Sequence, residues 1–209
     1  MQDDELLRYS RQIMLPEMDV AGQQRLLDAT VLIVGMGGLG SPVAMYLAAA
    51  GVGHLLLADD DKVELTNLQR QIAHNYSSIG RSKVESARDT LLGLNPSVQV
   101  ELLPVRLEDE ALMRAVTGAD LVVDGCDNFA TRFAVNEACV ALGKPLVSGA
   151  AIRMEGQLSV FDTRREDSPC YRCLYQNEGE LDGSCARNGV MAPLVGIIGS
   201  MQAMEAIKL

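Results

Sequence analysis

TVLIVGMGGLGSPVAMYLAAAG, residues 30–51, is a β-branched apolar run that breaks into glycines and resumes as a small-residue helical pattern. Residues 30–34 suit a short buried strand, and residues 38–50 a helix packed closely on it. Ser41-Pro42 falls in the opening turn of that helix, where proline's missing N–H costs little. Gly35, Gly37 and Gly40 match the G-x-G-x-x-G spacing of a nucleotide loop. In that pattern Gly35 allows the tight turn, Gly37 lets backbone N–H groups approach a phosphate, and Gly40 lets helix and strand pack closely. The helix N-terminus adds roughly half a positive charge. The loop by itself does not choose between NAD and ATP, and a purely structural turn has the same spacing.

Working outward, residues 54–58 form a second strand ending in Asp59-Asp60-Asp61, and Asp59 falls where a ribose-binding acid belongs. Helices are expected at 83–95, stopped by Asn95-Pro96, at 108–116 and at 129–142, ending at Gly143. Strands are expected at 98–103, 121–124 and 145–148, and residues 157–161 alternate as an antiparallel strand does. Residues 5–28 are helical, with a break near Pro16 and Gly22. The alternation predicts an α/β fold: a Rossmann-like doubly wound sheet, mostly parallel, with antiparallel strands toward the C-terminal half. Residues 1–209 are expected to be one domain, with a helical arm at 1–28 and a Cys-, Gly- and charge-rich flap or zinc region at 162–190. SMQAMEAIKL at the end has helical spacing and no stop signal, which predicts that more chain follows in a longer protein.

A net charge of −10 and the absence of Trp argue against nucleic acid or an anionic membrane as the main partner. Residues 190–204 are uncharged but short of the ~20 needed to span a bilayer, and are expected to be a buried helix. The N-terminus lacks the basic start and apolar core of a signal peptide. With no export signal, the five cysteines are expected to be cytoplasmic thiols and not a disulfide framework.

Arg70 follows soon after the ribose acid, and Lys83 lies thirteen residues further on. Two cations aimed at one site suggest a triphosphate, whose transfer leaves a pyrophosphate to neutralise. Both could equally be solvated surface charges. Asp124 and Asp127 end an apolar strand, where open α/β sheets place their ligands. Asp127 could hold Mg²⁺, cap the helix that begins near Phe129, or do both. Cys170 and Cys173 form a C-x-x-C, which is half of a zinc site, a redox dithiol or a chance pair. Cys185 is alone on a Gly-flanked stretch, while Cys126 and Cys139 look like buried core. His54 and His74 form no constellation with Ser or Cys, so no hydrolase triad is indicated.

RYSRQ at 8–12, GMGGLG at 35–40, DDD…NLQRQ at 59–71, GRSKVESA at 80–87, CDN at 126–128, GAAIRMEGQ at 149–157, CYRC at 170–173 and GVMAPLVG at 189–196 cover essentially the whole chain. Together they resemble the ThiF/MoeB/HesA family, bacterial relatives of ubiquitin-activating enzymes. The resemblance implies an adenylyltransferase that uses ATP and Mg²⁺ on the C-terminal glycine of a ubiquitin-like sulfur carrier ending in Gly-Gly. Molybdopterin and thiamine pathways share these motifs. By resemblance, Asp59 holds the ribose, and Gly38 with Leu39 lies against the phosphates. Asn67, Arg70 and Lys83 contact the phosphates, Asp127 binds Mg²⁺, and Asp61 and Asn128 complete the cofactor-binding set. Arg11 reaches into the neighbouring subunit's site, which implies a homodimer. Cys170 and Cys173 are two of four zinc thiolates, the other pair lying further along than Leu209. Cys185 matches the cysteine that some members link covalently to the carrier, and a sulfurtransferase is a possible further partner.

The implied nucleophile is a carboxylate, already ionised at pH 7, so no general base is needed. The difficulty is bringing two anions together at the α-phosphorus, which cations, a helix N-terminus and alignment relieve. An NAD-dependent oxidoreductase would use the loop and Asp59 but not Arg70, Lys83 and Asp127. A non-catalytic binder of a ubiquitin-like partner would turn over no nucleotide.

Overall fold

The computed structural model describes residues 1–175 and 189–209. Six strands form one sheet in the order β3-β2-β1-β4-β5-β6. The central β1 (Thr30–Val34) pairs in parallel with β2 (His54–Ala58) on one side and with β4 (Leu121–Asp124) on the other. β3 (Gln99–Leu103) extends the sheet beyond β2 and β5 (Leu146–Ile152) beyond β4, again in parallel. β6 (Glu155–Phe161) runs antiparallel to β5 and is the one antiparallel strand of the sheet among the described residues, where the sequence predicted more than one.

The inner strands are apolar throughout because both faces are covered, and strand geometry sends successive side chains to opposite layers. Val31, Ile33, Leu55, Leu57, Leu121 and Val123 join one core with α4 (Gly40–Ala50) and α5 (Lys83–Leu94). Leu32, Val34, Leu56, Ala58 and Val122 join the other with α6 (Asp109–Thr117) and α7 (Phe129–Leu142). Chain leaving β1 turns to the first layer, and chain leaving β4 turns to the second. The crevice between the two exits is where such sheets bind ligands.

The arm is three helical pieces, α1 (Asp3–Arg8), α2 (Ser10–Ile13) and α3 (Asp19–Asp28). The break falls at residues 14–18; Gly22 lies inside α3 and does not interrupt it. The arm is anchored by polar contacts at the end of α4. Gln12 and Gln23 both donate to the Ala50 carbonyl, at 2.9 and 3.0 Å, and Asn95 donates to the buried Tyr9 hydroxyl at 3.0 Å. Within RYSRQ, then, Tyr9 and Gln12 face inward, while Arg11 is exposed.

Two stretches differ from expectation. Tyr171–Leu174 forms a short helix, α8, inside the region expected to be loop or flap. Its Tyr171 is buried edge-on against Phe133 and Phe161, at 5.4 and 5.9 Å between ring centres. The apolar segment near the C-terminus is α9 (Ala192–Lys208), which buries Val195, Ile198 and Gln202 but exposes Ile197, Met201 and Met204. It is therefore buried on one face only. No helix among the described residues is long and apolar enough to cross a membrane.

Candidate active site

A cavity of about 290 Å³ opens at the crevice. The loop after β1 (Gly35, Gly37, Gly38, Leu39), the acids after β2 (Asp59, Asp60, Asp61) and the residues after β4 (Asp127, Asn128) line it, together with Arg70 and Lys83. Of the residues expected there, Gly40 and Asn67 do not line it; Arg11, expected to serve a neighbouring subunit, lies outside it, and Cys185 lies outside the described residues.

The loop's shape is forced by close approaches. Gly35 has φ of +93°, in the left-handed region, and a Cβ on it would meet the Gly125 carbonyl at 3.0 Å. A Cβ on Gly40 would fall on the Gly35 carbonyl oxygen, so Gly40 serves packing while its neighbours form the cavity wall. A Cβ on Gly37 would make only ordinary contact, 3.6 Å from Gln71 Nε2. In the first turn of α4, Ser41 N donates to the Gly37 carbonyl at 3.0 Å and Val43 N to the Leu39 carbonyl at 3.3 Å, while Pro42 has no N–H, so what the helix start offers the cavity is mainly its positive dipole end.

Asp59 is held from three sides. Its Oδ2 accepts from Met36 N at 2.7 Å, its Oδ1 from Asp61 N at 2.9 Å, and Lys83 Nζ stands 3.7 Å from Oδ1. Burial pushes the Asp59 pKa up, against the opposing pull of Lys83 and the two backbone N–H groups. Lys83 is itself buried, and its ammonium also contacts Asp61 at 2.6 Å. The three consecutive aspartates place carboxylate oxygens within 4.8 Å of one another, and Lys83 offsets part of that charge. The side-chain N–H of Arg70 donates to the Thr66 carbonyl at 3.1 Å, which steers a half-buried guanidinium to the cavity. Lys83 is therefore no loose surface charge, and Arg70 stands partly exposed at the cavity wall. Asn67, by contrast, turns its side-chain oxygen back to Glu64 N at 3.1 Å.

At the end of β4, the two roles considered for Asp127 separate. The cap of α7 is Asn128, whose Oδ1 accepts from Thr131 N at 2.9 Å. Asp127 is exposed on the cavity wall, a hard oxygen donor of the kind Mg²⁺ takes. Asp124 points away from that role. It is buried against Arg132 at 3.4 Å, accepts from Ser148 Oγ at 2.9 Å, and does not line the cavity. Cys126 lines the cavity, but burial and the nearby Asp124 carboxylate raise its pKa well above the ordinary thiol value, so it is no thiolate. Cys139 is likewise pushed up to about 12 by burial and Asp124.

Cys170 and Cys173 lie at the start of α8, apart from the cavity, with their sulfurs 3.7 Å apart. Two thiolates on one tetrahedral Zn²⁺ at about 2.3 Å would be separated by about 3.8 Å, so the pair fits as half of such a site. His74 does contact a serine, with Nδ1 3.0 Å from Ser86 Oγ, contrary to the sequence expectation. Both are buried away from the cavity, which excludes a hydrolase arrangement.

Several lining residues escaped the sequence. Arg106 and Leu107 follow β3, and applying the strand-end rule to that strand as well would have found them. Gln71 is 4% exposed at the cavity, and its Oε1 has no hydrogen-bond partner among the described residues. Its neighbour Arg70 drew the attention of a charge-based search. Arg132 and Val195 reach the cavity only through tertiary packing.

The model of the ThiF family matches residues 9–209. The chain belongs to the ThiF family. Among ThiF relatives, it is 53% identical over 207 residues to molybdopterin-synthase adenylyltransferase of Salmonella typhimurium, covering 99% of this chain and 83% of the relative. It is 50% identical over 209 residues to sulfur carrier protein ThiS adenylyltransferase of Escherichia coli, covering 100% and 83%. The crystal structure of Escherichia coli MccB with ATP superposes with a TM-score of 0.82 at 26% identity. That match covers 96% of this chain and 62% of MccB, so the chain spans less than two thirds of the latter's length.

Proposed function

We propose that this chain adenylates the C-terminal carboxylate of a ubiquitin-like sulfur-carrier protein, using ATP and releasing pyrophosphate. The observation that carries the proposal is one cavity on which a glycine loop, the Asp59–Lys83 pair, Arg70 and Asp127 all converge, in a ThiF-family chain. Relatives named for adenylating sulfur carriers, at half or more identity over nearly the whole chain, support it. The likeness to MccB, whose crystal structure was solved with ATP, supports the nucleotide.

The cavity suits that chemistry. The carrier's carboxylate attacks the α-phosphorus, the bond to pyrophosphate breaks, and the leaving group takes the electron pair. Lys83, Arg70 and the α4 N-terminus would neutralise the triphosphate and then the departing pyrophosphate. Asp59 would accept from the ribose hydroxyls, and Asp127, with Asn128 beside it, would hold Mg²⁺, which supplies further charge neutralisation on the phosphates when bound. Asp61 would keep the Lys83 ammonium aimed along the cavity. The acyl adenylate so formed is activated toward a sulfur nucleophile, the step a sulfurtransferase partner would serve. An oxidoreductase using NAD would leave Arg70, Lys83 and Asp127 on the wall without a role.

The assembly belongs to the same proposal. Arg11 is exposed on α2, outside its own chain's cavity, and in a homodimer it would complete the partner's site. Cys170 and Cys173 would give Zn²⁺ two thiolates of its four ligands. Cys185 is kept as the residue for any covalent link to the carrier. Molybdopterin and thiamine carriers are both compatible with the comparisons, and the slightly higher identity favours the molybdopterin one.

Asp127→Ala and Arg70→Ala test the proposal. Both side chains are at the cavity wall, outside the core, so both variants should melt as the native protein does. Neither should form the AMP adduct of the carrier, read by mass spectrometry. A native yield of adduct from either would remove that residue from its role.

A further inference from the structure

The strongest unassigned feature is a buried polar circuit behind the glycine loop. One residue, Met36, is held through both its N–H and its carbonyl by side chains from different elements. Its N–H donates to Asp59 at the end of β2, at 2.7 Å. Its carbonyl is 3.0 Å from Nε2 of His74, whose Nδ1 is 3.0 Å from Ser86 Oγ on α5. Ser86 lies one turn beyond Lys83 on the same helix, and Lys83 returns to Asp59 at 3.7 Å. The circuit therefore runs loop, His74, α5, Lys83, Asp59, loop. Thr90, a further turn along α5, donates to the Ala73 carbonyl at 2.7 Å and fastens the segment that carries His74.

A carbonyl only accepts, so Nε2 carries the proton, and Nδ1 accepts from the Ser86 hydroxyl. The neutral ring is then fully satisfied. Its pKa is lowered, first by burial, while Met36 O and Asp59 pull the other way and Lys83 adds to the lowering. Gly35, Gly37 and Gly38 bring little conformational restriction of their own, so the loop's order has to come from ties such as these.

We infer that His74 is a positioning residue for nucleotide binding: it fixes the Met36–Gly37 peptide to α5, so that the Gly37 N–H and the Lys83 ammonium face one phosphate site. His74 touches no ligand itself, and the inference rests on the nucleotide reading of the cavity. An apolar side chain of similar size would strand the Met36 carbonyl and free the Met36–Gly37 peptide to rotate, turning the Gly37 N–H in the same plane with it. Glutamine can set its Nε2 close to where the ring nitrogen stands, and so keep the tie.

The experiment compares native protein with His74→Leu, His74→Gln and Ser86→Ala, well below the melting temperature of each. It measures the Kd of a non-hydrolysable ATP analogue with Mg²⁺, the KM for ATP and for the carrier, and the melting temperature. His74→Leu should weaken analogue binding and raise the KM for ATP by about tenfold, the loss from one buried hydrogen bond. The KM for the carrier should stay unchanged, and His74→Gln should recover to within about threefold of native. Ser86→Ala, which only frees the ring to tilt, should shift in the same direction by less, and it stands in if His74→Leu does not fold. A folded His74→Leu, or Ser86→Ala in its place, that melts lower yet binds the analogue with native affinity would make His74 a merely structural residue. If the native protein bound no analogue at all, the nucleotide reading would fall, and the inference with it.

Discussion

At the scale of single residues, Lys83 has two jobs that can be separated. It neutralises a buried carboxylate in the resting protein and, on the proposed function, a polyphosphate in the working one. In Lys83→Met, Asp59 should titrate higher than it already does, because the largest opposing influence on its burial is gone. Carboxylate NMR would read that shift, and nucleotide turnover should fall by about 100-fold or more. Arg132, at the cavity wall, also pairs with the buried Asp124. Arg132→Met leaves Asp124 charged and buried without its partner, and should cost about 3–5 kcal/mol in chemical denaturation. Adding Asp124→Asn should recover most of that loss. His74 sets a pH dependence. An unfolded histidine takes its proton near 6.5, whereas folded His74, with its lowered pKa, does not. Its contribution is therefore complete above pH 6.5 and declines as pH falls from there toward the folded value. His74→Gln should flatten that part of the profile. Asp59 acts with the opposite sign in a more acidic window. Its raised pKa gives stability that is full below 3.8 and lost as pH rises through the folded value.

At the scale of elements, the glycines of residues 35–40 separate packing from binding. Gly40→Ala drives a methyl into the Gly35 carbonyl and should destabilise by about 1–3 kcal/mol. Gly37→Ala meets nothing closer than 3.6 Å, so the protein should melt normally while nucleotide affinity drops, the methyl occupying space meant for a phosphate. Calorimetry and analogue binding on the two variants check both halves. The same stretch shows why the elements were legible. β1, β2 and β4 are short apolar runs ended by Gly or Asp, and each matched its expected bounds because both faces of the strand are buried. β5 was expected to stop at residue 148, yet it runs through Gly149-Ala150-Ala151 to Ile152. Its continuation comes from pairing with β6, and residues without β-branched side chains carry no local signal for that. α8 was missed because Tyr171 is ordered by Phe133 and Phe161, from elsewhere in the chain.

At the scale of the whole molecule, the site is assembled by topology. β1 and β4 are adjacent in the sheet, and the chain leaves them toward opposite layers, so a glycine loop and Asp127 that are far apart in sequence face one cavity. The acids, with Arg70 and Lys83, were legible because they stand at strand ends or inside recognisable motifs, whereas Arg106 was missed. Arg132 and Val195 were not legible, since their place on the wall depends on how α7 and α9 pack, and the uncharged Gln71, though inside the NLQRQ motif, carried no charge signal. What the polar groups behind the wall do was equally hidden, as His74 and Ser86 are twelve residues apart and meet only in the fold.

The measurement that tests the central claim most directly is ATP–pyrophosphate exchange with Mg²⁺ and labelled pyrophosphate. It should be run without carrier and with molybdopterin-type and thiamine-type carriers, each ending in Gly-Gly. Label entering ATP only when a carrier is present is the expected result, and the carrier that supports it identifies the pathway. No exchange with either carrier, alongside tight binding of NAD, would contradict the account.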